Sequence, residues 1–72
     1  MSPPEMIFVD SSNIEAIGYE PDQRDLYVQF HGGRTYVYAD VPEQTYNEFL
    51  QADSKGSYLN REIKLNYAYR ET

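Results

Sequence analysis

Cysteine is absent from this chain of 72 residues, which excludes disulfide bonds and every metal site built on thiolates. The single histidine, His31, cannot supply the sets of His and Cys ligands that zinc sites require. An apolar run of about 18 residues, the length that crosses a membrane, is also missing. We therefore expect no metal, no cofactor and no membrane contact. The lack of cysteine and of a signal-peptide pattern predicts a cytoplasmic protein.

Aromatic side chains are plentiful instead, with eight tyrosines and three phenylalanines. A chain of this length forms one domain and buries only roughly 60–65% of the surface that its unfolded form exposes. Each buried aromatic ring removes about 150–250 Å² from water, so we expect the rings to carry much of the packing. Residues 13–72 are predicted to form a single, monomeric domain, preceded by a flexible or loosely docked arm over residues 1–12.

Positive charge is scarce and unevenly placed. The formal net charge is −6, which argues against strong non-specific binding of nucleic acid, because Lys and Arg must neutralise the phosphates. Residues 1–53 carry ten acids and two bases, whereas residues 54–72 carry four bases and two acids. Any anion-binding surface is therefore expected in the C-terminal quarter of the chain.

Three segments with alternating apolar residues predict the strands of a small sheet. They cover residues 14–19, 26–30 and 35–39, with turns between them that contain proline, aspartate and glycine. Gly18 is a candidate β-bulge within the first segment. An apolar cluster at residues 7–9 could add an edge strand or dock on the domain.

Two helices are predicted after the sheet. Pro42 suits the first position of a helix, and apolar residues recur at helical spacing from Val41 to Leu50. Ser57 can cap a second, short helix, and the alternation that begins at Ile63 predicts an extended segment. The predicted fold class is α+β: a small antiparallel sheet of three strands, with a fourth left open, followed by two short helices packed on one face.

The hairpin between the second and third strands determines where Tyr36 and Tyr38 point. A two-residue turn at the glycine pair 32–33 would place both rings on the face opposite to that of Val28 and expose them. A three-residue loop that also includes Arg34 would set Val28 opposite Tyr38 and bury both rings. We favour the second register slightly, because a small domain needs its large rings inside, and the first stays open.

An anion site is predicted where the second helix begins. The Ser-Lys-Gly-Ser run at residues 54–57 lacks the leading glycine and the spacing of a phosphate-binding P-loop. Free backbone N–H groups ahead of a helix nevertheless favour anions. Arg61 and Lys64 lie about one and two turns further on and would extend a positive patch. Ordinary helix capping with solvated cations is the alternative, and it stays open.

Tyrosines could add stacking surfaces for single-stranded RNA. Stacking one base on an aromatic side chain contributes about 1–3 kcal/mol, whichever base it is. Four tyrosines with arginines near them in sequence suit this role: Tyr36, Tyr38, Tyr67 and Tyr69. Core or cross-strand packing competes with it. Packing is favoured for Tyr36 and Tyr46, whereas for Tyr27, Tyr67 and Tyr69 the two roles have about equal weight.

An ordered set of residues spans nearly the whole chain. It comprises Ile14, Ile17, Gly18, Tyr19, Leu26, Val28, Phe30, Gly33, Tyr36, Tyr38, Val41, Pro42, Tyr46, Phe49, Leu50, Ser54, Lys55, Gly56, Asn60, Ile63 and Tyr67. Over roughly residues 11–70, this set resembles the KTSC domain family. That family is named for a C-terminal extension of some lysyl-tRNA synthetases and also occurs as short stand-alone bacterial and phage proteins, the form that this chain resembles. The resemblance implies no established activity, and the synthetase association suggests RNA binding.

The leading functional hypothesis is a non-enzymatic module that binds RNA or tRNA. Its candidate residues are Ser54, Lys55, Gly56, Ser57, Asn60, Arg61, Lys64, Tyr67 and Arg70. Four further residues of the family pattern are expected to be structural: Tyr36, Tyr38, Pro42 and Tyr46. The alternative is a protein-interaction module whose acidic portion, including Glu43, Glu48 and Asp53, meets a basic partner. No enzymatic activity is expected, because no nucleophile, base and orienting group can be named together.

Overall fold

Five short strands form one antiparallel sheet in the computed structural model, which describes residues 4–72. The first three residues of the predicted arm lie outside the described part of the chain. The strands are β1 (Ile7–Phe8), β2 (Ile14–Glu20), β3 (Asp25–Phe30), β4 (Thr35–Tyr38) and β5 (Tyr69–Glu71), in the order β1-β2-β3-β4-β5. The helices lie between β4 and β5: α1 (Glu43–Gln51), α2 (Lys55–Tyr58) and a π-helical segment (Leu59–Ile63) that continues from α2. The α+β class is confirmed.

The prediction of three or four strands is wrong, because both ends of the chain join the sheet. Strand β1 pairs with β2 through Ile7 opposite Ile17, and β5 pairs with β4 through Tyr69 opposite Tyr38. These two strands have only two and three residues, which is too short for an alternating pattern to mark them. The extended segment predicted after the second helix is also wrong in its first part, since residues 64–66 form a turn.

Gly18 allows the N-terminal residues to lie close against the sheet. The bulge predicted at Gly18 is wrong, because the pairing of β2 with β3 shifts between Ile14 and Ala16 instead. A Cβ atom at Gly18 would lie 2.7 Å from the Sδ of Met6 and 3.0 Å from the carbonyl oxygen of Glu5. Only a residue without a side chain therefore permits this approach.

The β3–β4 hairpin places the tyrosine pair on the core side of the sheet, as the favoured register predicts, but the pairing itself differs. Val28 lies opposite Tyr36 and Leu26 lies opposite Tyr38, whereas we predicted Val28 opposite Tyr38. The observed register is therefore displaced by two residues. Because side chains alternate with a period of two, this displacement leaves every side chain on the predicted face.

The hairpin loop explains this displacement. It has the predicted three residues, but they are residues 31–33 rather than 32–34. Hydrogen bonds from Phe30 N to Arg34 O (2.8 Å) and from Gly33 N to Phe30 O (3.1 Å) close it. Gly33 has a φ of +97° and fills the last loop position, where a three-residue hairpin loop requires a left-handed residue. The predicted loop would have put Arg34 there, at a steric cost that glycine avoids.

One hydrophobic core fills the space between the sheet and the helices. Tyr38 is 2% exposed and Phe49 is fully buried, and the ring of Phe49 stacks on that of Tyr58 with 5.6 Å between centroids. The other buried members of this core are Ile14, Ile17, Leu26, Val28, Val41, Leu59 and Ile63. Rings from the sheet and from both helices thus meet in one layer, as expected from the aromatic content.

The helices begin one or more residues away from their predicted starts. Pro42 is extended and precedes α1 as its N-cap rather than forming its first turn. Ser54 caps α2, because its Oγ accepts a hydrogen bond from Ser57 N at 3.3 Å, so the prediction of Ser57 as the cap is wrong. The Tyr58 hydroxyl donates to the carboxylate of Glu48 at 2.9 Å and thereby joins α2 to α1.

Candidate functional site

A cleft of about 350 Å³ lies on the helix-covered face of the sheet, between the β3–β4 hairpin and the π-helical segment. Its lining includes two cationic side chains and no carboxylate. We call it the aromatic cleft, and it is lined by Phe30, His31, Gly32, Arg34, Tyr36, Tyr38, Leu59, Asn60 and Lys64. A volume of this size is at the lower end of the ~300–1,000 Å³ that small-molecule sites occupy.

A continuous row of rings forms the floor of the cleft and extends beyond it. Phe30 meets Tyr36 edge to face at 5.4 Å between centroids, and Tyr69 lies 5.3 Å from Tyr36 and 5.5 Å from Tyr38. We call these four rings the aromatic row. Burial, and then the neighbouring Tyr69 and Tyr36, raise the pKa of Tyr38 above its ordinary value. Its hydroxyl therefore stays neutral at physiological pH.

Arg34 and Lys64 supply the positive charge of the cleft from opposite walls. The Nε of Arg34 lies 4.0 Å from Oε2 of Glu71, and both side chains are more than half exposed. Exposed pairs of this kind contribute only about 0–1 kcal/mol, so another anion can replace the Glu71 carboxylate. None of the ion pairs found in residues 4–72 includes Lys64. Both cations are thus accessible to an anionic ligand.

His31 connects the hairpin loop to the start of β2 at the rim of the cleft. Its Nε2 lies 3.0 Å from the carbonyl oxygen of Ser11, and its Nδ1 lies 3.6 Å from Oε1 of Glu15. Its backbone N–H also donates to the carbonyl of Asn13 at 3.0 Å. These three contacts hold the loop in position, which is a structural role for the only histidine of the chain.

The residues predicted for an anion loop lie together, but two of their donors already have partners within the chain. The backbone N–H of Ser57 donates to Ser54, and the Nζ of Lys55 donates to the carbonyl oxygen of Ala52 at 2.8 Å. The surrounding depression, which also contains Gly56 and Asn60, includes the carboxylates of Asp10 and Asp53. This geometry favours ordinary helix capping, the alternative left open by the sequence.

The other predicted binding residues are spread over different surfaces. The Nε of Arg61 pairs with Glu62 at 3.1 Å, and its guanidinium carbon lies 5.9 Å from the centroid of the Tyr58 ring. Arg70 points to the opposite face of the sheet and pairs with Asp25 at 3.7 Å. Tyr67 is half-buried and packs on the core. Only Asn60 and Lys64 of the predicted set line the aromatic cleft.

The four residues of the family pattern divide between packing and the cleft. Pro42 is the N-cap of α1, and Tyr46 stacks on Tyr19 at 5.0 Å between centroids, with 14° between the rings. Burial raises the pKa of Tyr46. Tyr38 is nearly buried, whereas Tyr36 is only half-buried and lines the cleft. Three of the four residues thus have mainly structural contacts.

Sequence reasoning did not assign Phe30 or Arg34 to a site, although both line the cleft. The sequence suggests Arg34 only as a neighbour of the tyrosines. Its position directly after the two glycines and two residues before Tyr36 was the available signal. That position indicates a site at the tip of the hairpin, whereas the clustering of positive charge predicts a site in the C-terminal quarter of the chain.

A meandering antiparallel sheet, a helical layer on one face and a cleft between the two define a small α+β domain with a candidate binding site. A family model for the KTSC domain matches residues 10–67, and the chain belongs to this family. The crystal structure of a KTSC domain protein from Yersinia pestis superposes with a TM-score of 0.89 at 40% identity, covering 94% of this chain and 96% of that one. The family predicted from the ordered residues is confirmed.

Three further relatives comprise two short proteins and one long enzyme. A protein of Tsukamurella paurometabola is 43% identical over 56 residues, which cover 78% of this chain and 84% of the relative. An uncharacterized protein of Stutzerimonas stutzeri is 36% identical over 58 residues, covering 81% of this chain and 82% of the relative. A lysine–tRNA ligase of Nostoc sp. is 36% identical over 62 residues, covering 86% of this chain but only 11% of the enzyme.

The described part of the chain offers neither a metal-binding cluster nor a membrane-spanning helix. Within residues 4–72, no three His, Asp or Glu side chains are grouped so that they could hold a metal ion. The helices of that same region are too short and too polar to cross a membrane.

Proposed function

We propose that this KTSC domain is a non-enzymatic module that binds single-stranded RNA in the aromatic cleft. The observation that carries the proposal is the composition of the cleft, in which Tyr36 and Phe30 lie beside Arg34 and Lys64. Aromatic rings stack on bases and cations neutralise phosphates, which is the combination that single-stranded nucleic acid requires. The Asn60 amide adds a donor and an acceptor for the edge of a base.

Charge distinguishes this cleft from the other depressions described on the surface. The groove along α1 contains Glu43 and Glu48. The one between α1 and α2 contains Glu48 and Asp53 with one cation, Arg61, and the one around residues 54–57 contains Asp10 and Asp53 with one cation, Lys55. With a net charge of −6, most of the surface repels a phosphate backbone. RNA would therefore approach where the cations lie and the carboxylates are missing.

One relative supports RNA as the class of ligand. The lysine–tRNA ligase of Nostoc sp. contains a region that is 36% identical to this chain over 62 residues, and its name states tRNA as a substrate. Transfer RNA is therefore the first natural RNA to examine. We also propose that the protein is monomeric and cytoplasmic, with its cleft open to RNA.

Two arginines provide the test and its matched control: Arg34 directly precedes β4, and Arg70 lies on the neighbouring strand β5. Arg34 borders the cleft, whereas Arg70 lies on the opposite face of the sheet, and each is an exposed side chain paired with one carboxylate. Backbone amide NMR shifts would be followed while hexauridylate is added at low salt. We expect shifts in the hairpin loop and the π-helical segment, a several-fold loss of affinity in Arg34→Ala, and no loss in Arg70→Ala.

Three outcomes would contradict the proposal. The amide shifts could stay unmoved by hexauridylate and by tRNA at low salt. The shifts could map to the outer face of α1 rather than to the cleft. Arg34→Ala and Arg70→Ala could also weaken binding equally, which would mean that RNA responds to net charge alone and not to the cleft.

A second candidate function is recognition of a basic protein through α1. The groove on the outer face of α1 contains Glu43 and Glu48 without any cation, which would complement a basic partner. A pull-down partner that survives nuclease treatment and is lost in Glu43→Lys would support this role. Loss of the partner on nuclease treatment would support RNA binding instead.

A further inference from the structure

We infer that Tyr69 forms a second base-stacking position next to the aromatic cleft, so that the binding site spans two nucleotides. This inference rests on the proposed function and deepens it. Tyr69 lies on the edge strand β5, with its side chain on the helix-covered face of the sheet, and the residue is 56% exposed. Its ring nevertheless belongs to the aromatic row, since it lies 5.3 Å from Tyr36 and 5.5 Å from Tyr38.

The size of the cleft requires a second position outside it for any longer ligand. About 350 Å³ is near the lower limit for sites that enclose a small molecule. The cleft therefore accommodates one nucleotide against Tyr36, and the next base must lie over a neighbouring surface. Tyr69 is the exposed ring that continues from the cleft, whereas the exposed Phe8 lies on β1 at the opposite edge of the sheet.

The orientation of the rings suits two bases on separate platforms. The rings of Tyr36 and Tyr69 contact each other at 5.3 Å between centroids, and their planes are tilted by 35°. A base that stacks on one ring lies parallel to that ring, so bases on the two rings would not be parallel to each other. Bases that lie on these two rings would thus be unstacked from each other, which is how single-stranded RNA is bound on aromatic side chains.

Arg34 lies where the phosphate between the two bases would be. Its side chain borders the cleft, and its Nε lies 4.0 Å from the carboxylate of Glu71 on β5. Glu71 is on the same side of β5 as Tyr69, so Arg34 stands at the boundary between the two positions. The Glu71 carboxylate competes with a phosphate for this arginine, and Glu71→Gln should therefore tighten binding of a dinucleotide.

Two small ligands separate the second position from the first. The ligands are 5′-AMP, which has one base, and the dinucleotide pApA, which has two. We expect the intact protein to bind pApA at least about five-fold more tightly than 5′-AMP, the factor to which a stack of ~1 kcal/mol corresponds. A dinucleotide with an abasic second residue keeps both phosphates and should lose most of this gain.

Variants of Tyr69 test whether its ring causes the tighter binding of pApA compared with 5′-AMP. Tyr69→Leu should bind pApA at least about five-fold more weakly than the intact protein and leave 5′-AMP unchanged, whereas Tyr69→Phe should retain both affinities. Phe8→Leu is the matched control, since Phe8 is an exposed ring (76%) at the other edge of the sheet, and it should change neither affinity. Folding of each variant would be verified from its amide NMR spectrum.

The possible results divide clearly between the two proposals. Equal affinities of the intact protein for 5′-AMP and pApA would overturn the second position, while the cleft itself would stand. An equal loss for both ligands in Tyr69→Leu would also overturn it, because Tyr69 would then only support Tyr36. If neither ligand nor hexauridylate shifts the resonances of the cleft, the second position and the proposed function both fail.

Discussion

The hydrogen bond between Tyr58 and Glu48 is expected to make the stability of the fold depend on alkaline pH. The Tyr58 hydroxyl lies 2.9 Å from Oε1 of Glu48 and 3.4 Å from the carbonyl oxygen of Thr45. Burial of the ring, followed by the hydrogen bond and charge of Glu48, raises the pKa of Tyr58 from 10.0 to about 12. This contact joins α2 to α1 and therefore supports the helical wall of the aromatic cleft.

The direction and size of the effect follow from proton linkage. Below pH 10 the hydroxyl keeps its proton in the folded and the unfolded chain, so the stabilising contribution is fully present. As the pH rises from 10.0 to about 12, the unfolded chain loses the proton while the folded chain retains it, and the free energy of unfolding decreases. At pH 11 this difference favours the unfolded chain about ten-fold, or about 1.4 kcal/mol.

Tyr58→Phe isolates this tyrosine from the others, because burial also raises the pKa of Tyr38 and Tyr46. At pH 8 we expect the variant to be less stable by about 1 kcal/mol, the usual net contribution of one hydrogen bond. Urea unfolding at pH 8 and pH 11 should show the stability of the intact protein relative to the variant falling by about 1.4 kcal/mol, so that the variant becomes the slightly more stable protein at pH 11. A difference that is the same at both pH values would refute the argument.

Three further predictions concern the core, the N-terminal residues and the cleft. Phe49→Ala empties a fully buried site and should lower the free energy of unfolding by about 3–5 kcal/mol. This loss is much of the total of about 4–11 kcal/mol expected for a chain of this length, and urea unfolding followed by circular dichroism would show it. Gly18→Val places a side chain 2.7 Å from Met6 Sδ and should cost about 1–3 kcal/mol by overpacking, with a displaced Met6 methyl resonance; an unchanged methyl shift would contradict it. If RNA binds in the cleft, log K should fall with log salt concentration with a slope of about −1.4 for two neutralised phosphates, and about −0.7 in Lys64→Ala.

The central part of the fold could be predicted from the sequence, because its signals are local. Alternating residues mark β2, β3 and β4, and the glycine pair marks the loop between the last two. The two edge strands could be predicted only as open alternatives, since Ile7–Phe8 and Tyr69–Glu71 are held by pairing with distant strands rather than by a pattern of their own. The exact start of α2 depended on which of two serines turns its Oγ toward the free N–H groups.

The candidate site was harder to predict than the fold, because charge along the chain is a poor guide to charge in space. Lys55, Arg61 and Arg70 are neighbours of Lys64 in sequence, but the structure directs them to the end of α1, to Tyr58 and to the opposite face of the sheet. Arg34 comes from the acidic part of the chain and still reaches the cleft. The pairing of β4 with β3 brings Arg34 there, and strand pairing cannot be inferred from the composition of a sequence segment.

The wall of the cleft that faces the tyrosines depends on the π-helical segment. Leu59 and Ile63, four residues apart, are both buried, while Asn60 and Lys64, also four residues apart, both line the cleft. The backbone N–H of Lys64 donates to the carbonyl of Leu59 at 2.7 Å, a five-residue step that widens the turn, and such turns often occur at functional sites. The same turn thus anchors two apolar side chains in the core and presents a cation and an amide to the aromatic row. In the proposed function, a substitution that loosens Ile63, which does not line the cleft, would therefore weaken RNA binding without touching the ligand.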